Sequence, residues 1–108
     1  MATVRALLRL PATARAGEVV EVRLLMQHPM ETGFRPDATG RTVARNILRR
    51  IEAHFEGELV FAADLFPAIT ANPYIAFPLR ATKSGTLAVT IEGDLGVAQR
   101  ETAAITVA

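Results

Sequence analysis

The sequence predicts an all-β fold, an immunoglobulin-like antiparallel β-sandwich of about seven strands, built as a single domain over residues 1–108. Three observations predict it. Apolar and polar residues alternate with a period of two in one segment after another, so each segment has a face for a core. The segments are short and are separated mostly by turn residues, which suits a sandwich better than units joined by long helices. Hydrophobic residues make up 50% of the chain and charged ones 21%, a balance that folds rather than stays disordered. The Cys–Trp–Cys hallmark of antibody domains is missing, so the fold class rests on alternation alone.

Taken in order, Val4, Ala6, Leu8 and Leu10 alternate with Thr3, Arg5, Leu7 and Arg9, a half-buried strand that Pro11 closes. Residues 11–17 read as a small-residue connection turning at Gly17. A second strand, about Glu18 to Gln27, sets Val20, Val22, Leu24 and Met26 inward. Val19 and Leu25 leave its outer face partly apolar, which implies a cover. Residues 27–40 (QHPMETGFRPDATG) are too polar, and too broken by Pro29, Gly33, Pro36 and Gly40, for a strand or helix. Residues 41–50 fit helix or strand. A strand from about Ile47 is preferred, with Ile47, Ile51, Ala53 and Phe55 inward and Leu48, Arg50, Glu52 and His54 outward. Glu56-Gly57-Glu58 is a hairpin signal, followed by Leu59, Phe61, Ala63 and Leu65 on one face. Pro67 and Pro73 break the ladder within a second irregular stretch, residues 64–74 (DLFPAITANPY). Ile75, Phe77, Leu79 and Ala81 then form a strand in which Pro78 implies an edge or a bulge. Leu87, Val89 and Ile91 follow the Lys83-Ser84-Gly85 turn. The turn at residues 93–96 leads to a last strand, about Val97 to Val107.

Charge and composition exclude several functions. A net charge of +1 lacks the basic excess of a nucleic-acid binder. With no cysteine, the chain offers no disulfide, thiolate metal site or cysteine nucleophile. No uninterrupted apolar run approaches the roughly 18 residues of a membrane helix, and Arg5 and Arg9 interrupt any signal-like segment. By default such a chain reads as soluble and cytoplasmic.

Catalytic and metal-binding patterns are sparse. His28 and His54 stand 26 residues apart without a second ligand at metal spacing. A site from His28, Glu31 and Asp37 is conceivable, but hydrogen bonding within the loop accounts better for His28. Ser84 is the one serine and sits in a turn without a nucleophile-elbow context. The glycines fall at turns rather than around a phosphate. Five arginines between residues 35 and 50 read first as a solvated face, or else as a surface that steers an anionic partner. Leu65, Phe66, Ile69 and Tyr74 are more apolar than an exposed crossover should be and so imply burial against the domain or a partner. These features favour an interaction module over an enzyme.

The two irregular stretches carry a resemblance. HPMETGFRPDATG, followed about thirty residues on by FAADLFPAITANPYIAF and then ATKSGTLAVT, resembles the SoxZ family, the Z subunit of the sulfur-oxidation carrier complex, and the similarity runs from the first strand to the C-terminal ITV. Val43-Ala44 and Pro78 depart from the family pattern. The resemblance implies a non-catalytic subunit without cofactor or metal. It would pair with a SoxY-type subunit whose C-terminal cysteine carries the sulfur, and meet the Sox enzymes transiently. Without that partner, the partly apolar outer faces are expected to let the chain self-pair as a homodimer. It also implies a periplasmic location, reached by co-export with a Tat-targeted partner. On this reading His28, Met30, Glu31, Arg35, Phe66, Asn72 and Tyr74 are the candidate partner-docking residues, with Glu31 accepting loop N–H groups and Arg35 meeting a carboxylate or an anionic sulfur group. The alternatives stay open at this level: a loop that merely caps the sandwich, a stand-alone binding module that self-associates and, weakest, a small enzyme using His28 and Glu31.

Overall fold

Alternation gives two stacked sheets. The computed structural model describes residues 5–67 and 69–108, so the predicted strand residues Thr3 and Val4 lie outside it. The strands are β1 (Arg5–Arg9), β2 (Thr13–Ala14), β3 (Glu18–Gln27), β4 (Leu48–Phe55), β5 (Glu58–Asp64), β6 (Tyr74–Ala81), β7 (Gly85–Gly93) and β8 (Ala98–Val107). One sheet has the order β1-β3-β6 and the other β2-β8-β7-β4-β5. Val22, Leu24, Ile51, Leu87, Val89 and Ile91 are fully buried between them. Phe61 of β5 stacks on Phe77 of β6, ring centroids 4.3 Å apart, and this ties the two sheets together along one side.

The sandwich stands as predicted, and the differences are local. The described residues form eight strands. The extra one, β2, comes from the stretch read as a connection, where it pairs in parallel with β8. Leu48, expected outward, is fully buried, because a register shift between Leu48 and Arg50 turns it inward against β7. Leu59, expected inward, is exposed. A shift between Ala53 and His54 sets it opposite the outward His54 and leaves Val60 as the extra residue. Pro78 lies on β6, which among the described residues pairs with β3 alone and forms an edge of its sheet. Its missing N–H costs no ladder bond at such an edge.

The long loop after β3 forms no named strand, yet it is paired. Glu31 bridges Asn46 and Pro36 bridges Thr42, both antiparallel. The Val43 N–H donates to the Arg35 carbonyl at 2.7 Å and the Asp37 N–H to the Arg41 carbonyl at 2.7 Å. Residues 31–46 are therefore an irregular hairpin arm, and every residue from 34 to 42 is exposed.

Candidate functional site

Pro29 and Pro36 lack an N–H for a ladder and Gly33 adds backbone freedom, so the chain fixes the arm by side-chain bonds at its base. His28 is 4% exposed. Its backbone N–H donates to Asn72 Oδ1 at 3.0 Å, and the Asn72 N–H returns a bond of 2.8 Å to the His28 carbonyl. Asn72 takes a positive φ of 54°, a conformation asparagine tolerates well. The two irregular stretches of the sequence thus meet at one end of the sandwich. Met26 adds to the junction by donating its N–H to the Pro73 carbonyl at 3.0 Å.

The His28 ring is committed on one side, where Nδ1 accepts the Met30 N–H at 3.0 Å. Burial holds the imidazole below its usual pKa, while the Asn46 side chain and the more distant Asp94 carboxylate act weakly in the opposite sense. The ring is therefore neutral, with its proton on Nε2. That atom and Asn46 Oδ1 are both buried without a hydrogen bond of good geometry. Met30, 4% exposed with φ 52°, points inward, and its Sδ accepts the Leu48 N–H at 3.3 Å.

Above this base the arm carries its own electrostatics. Arg35 Nη2 and Nε clasp the Glu31 carboxylate at 2.7 and 3.1 Å, and this pair lowers the Glu31 pKa. Asp37 Oδ1 accepts the hydroxyl and N–H of Thr39 and the Arg41 N–H, which closes the tip. Gly33 takes φ +92°, a conformation that favours glycine, and a Cβ there would press on Arg45 Cβ of the returning side at 3.2 Å.

A third element anchors that returning side. Asp94, in the 3₁₀ turn Asp94–Gly96 between β7 and β8, accepts from Arg45 Nε and Nη2 at 2.8 and 2.9 Å and from the Ile47 N–H at 3.1 Å. Arg49 Nε lies 3.4 Å away. Partial burial pushes the Asp94 pKa up, but Arg45, the Ile47 N–H and Arg49 outweigh it and hold the carboxyl below its usual range. The preceding Gly93 makes this approach possible, since a Cβ there would sit 2.7 Å from the Ile47 carbonyl oxygen.

The geometry divides the predicted docking residues. His28 and Met30 are a correction: their side chains are buried and hold the arm, so they present no surface to a partner. Glu31 is half-buried and accepts from Arg35 rather than from loop N–H groups. Arg35, Phe66, Asn72 and Tyr74 are exposed, Phe66 at 63% and Tyr74 at 54%. His28, Glu31 and Asp37 each have separate partners. Among the described residues no three His, Asp or Glu side chains gather into a metal site, and no helix is long and apolar enough to cross a membrane.

Sequence reading missed three residues. Phe34, at 84% exposed, was visible as the lone aromatic of a polar loop. Asn46 and Asp94 gave no signal, because their partners lie far away in sequence.

The likenesses to solved structures agree with this architecture. A superoxide reductase (neelaredoxin) from Ignicoccus hospitalis superposes with a TM-score of 0.72 at 22% identity, over 95% of this chain and 80% of that one. The sulfur carrier protein SoxY from Chlorobium limicola f thiosulfatophilum gives 0.68 at 18%, over 95% and 78%. A CARDB domain from Pyrococcus furiosus gives 0.61 at 9%, over 96% and 93%. At such identities these likenesses show the fold alone. No curated protein matches the sequence. The family comparison goes further, because the family described as "Sulphur oxidation protein SoxZ" matches residues 8–104. With nearly the whole sandwich, the arm and the Asn72 junction inside that match, the chain belongs to the SoxZ family.

Proposed function

We propose that this chain is the non-catalytic subunit of a sulfur-carrier heterodimer. It pairs with a SoxY-type subunit that bears the sulfur on a cysteine and helps present that subunit to the Sox enzymes of the periplasm. One observation carries the reading: a SoxZ-family chain whose 108 residues include no cysteine. A covalent sulfur carrier needs a thiolate to form and exchange its adduct, and these residues supply none, which supports a partner that brings the thiol. The braced arm supports a presenting role, since Arg35 and Phe34 are exposed on a hairpin whose base is fixed by buried bonds.

The test is reconstitution. Thiosulfate and the purified Sox enzymes are added to this chain alone, to a SoxY-type subunit alone, and to the pair. Intact-mass measurement is expected to find sulfur adducts only on the cysteine-bearing subunit, with turnover fastest for the pair. A stable adduct on this chain, or turnover unaffected by its omission, overturns the proposal. A self-associating binding module is the second reading, favoured by the exposed Leu25 and Tyr74. It predicts a dimer by light scattering and no affinity for the SoxY-type subunit.

A further inference from the structure

The outer face of the β1-β3-β6 sheet carries an apolar row in strand register. Leu7 pairs with Leu25, and Leu25 pairs with Tyr74. They are 47%, 45% and 54% exposed, so one line of apolar side chains crosses all three strands. Cross-strand neighbours of this kind lie about 5 Å apart and make a continuous patch. A shallow groove runs beside the row, between Arg5, Gln27 and Asn72, and joins the patch to the base of the arm.

The charges around the row are one-sided. The same face carries Arg5, Arg9, Arg23 and Arg80 but only one carboxylate, Glu21, which pairs with Arg23 at 2.6 Å. Among the described residues Arg5, Arg9 and Arg80 form no ion pair. On the outer face of the other sheet, by contrast, Arg50 bridges both Glu52 and Asp64, and that face has no comparable apolar row.

We infer that the Leu7–Leu25–Tyr74 row is the docking face for a different protein, one that offers an apolar centre with carboxylates at its rim, and that the arginine rim works against pairing with a second copy. Two copies meeting here would bring the unpaired arginines together as the apolar centres lose water, and like charges at a closing interface are costly. An acidic-rimmed partner turns the same charges into attraction and gains the apolar burial too. This assignment rests on the carrier-subunit reading, in which that partner is the cysteine-bearing subunit.

Dissociation constants for a SoxY-type subunit are measured with the wild-type chain, with Leu25→Asp and with the double variant Arg5→Glu/Arg9→Glu, each checked by its melting curve. Leu25→Asp is expected to weaken pairing at least about tenfold, as loss of a central contact does, and the double variant at least about fivefold, with its deficit shrinking in roughly 0.5 M salt as screening takes over. The wild type alone is expected to stay monomeric at low salt. If the wild type pairs but both variants stay within twofold of it, the face is wrong and the functional reading stands. If the wild type does not pair, the functional reading falls and this inference with it. Should Leu25→Asp unfold the sheet, the double variant carries the test, because its arginines are exposed and make no ion pairs.

Discussion

Because Nδ1 of His28 accepts the Met30 N–H while burial disfavours the imidazolium, the folded protein holds this ring neutral, whereas the unfolded chain protonates it near the ordinary value of 6.5. The folded pKa is the lower one, so the unfolded state binds more protons as pH falls through that value. Stability from this group is full above it and drains away toward the lowered folded pKa. The urea midpoint is expected to fall between about pH 7.5 and 5.5, and His28→Asn, which keeps an acceptor for the Met30 N–H, is expected to flatten that slope. Asp94 works at the acid end. Its folded pKa is depressed, so its stabilisation is present above the ordinary carboxylate value and is lost as pH falls through the folded one. Asp94→Asn is expected to cost about 1–2 kcal/mol at neutral pH, allowing for the half-exposed Arg45. It is also expected to soften the loss of stability below about pH 4. Denaturant titrations across pH check both. The sequence hinted at the first residue only in part: His28 read best as a hydrogen-bonded loop residue, but its partner Asn72 stands 44 positions away.

At the scale of elements, the arm is held at both ends of its base, by the His28–Asn72 junction and by Asp94. Gly93→Ala tests the second, since the new methyl would press on backbone atoms of Ile47 and Leu48. Overpacking of this kind is expected to cost about 1–3 kcal/mol, seen as a lower melting temperature and faster amide exchange at residues 45–48. Arg35→Ala tests the arm's outer part. The Arg35 end of the Glu31–Arg35 pair is exposed, so on the proposed carrier-subunit function the melting temperature and SoxY pairing are expected to hold, while turnover of the reconstituted Sox system falls and becomes less salt-sensitive. Intact turnover would make the arm architecture alone. Strands were the legible elements because a period of two is written into the chain. Their errors, Leu48 and Leu59, fall at register shifts, where one added residue reverses the faces and leaves the composition unchanged. The arm was legible as irregular but not as paired, because its bridges use backbone groups that prolines and glycines do not announce.

For the whole molecule, the sandwich and its family were legible together, the first from alternation and the second from motifs that happen to mark the arm and the junction beneath it. Which outer face is apolar across three strands was not legible, because Leu7, Leu25 and Tyr74 align only once the strands are paired. Strand order has a further consequence, for synthesis on the ribosome. β8 lies between β2 and β7, and its end is stitched from both sides: the Thr106 and Ala108 N–H groups donate to the Ala12 and Ala14 carbonyls, and the Val107 N–H donates to Ser84 Oγ at 2.7 Å. Until residues 98–105 have been made β7 shows a bare edge, and until 106 and 107 follow β2 has no partner in its sheet. A nascent chain stopped near residue 97 is therefore expected to be protease-sensitive and to lack a cooperative unfolding transition. Such a chain would expose the row Leu87, Val89 and Ile91 beside an unpaired strand, which makes early termination a route to aggregation.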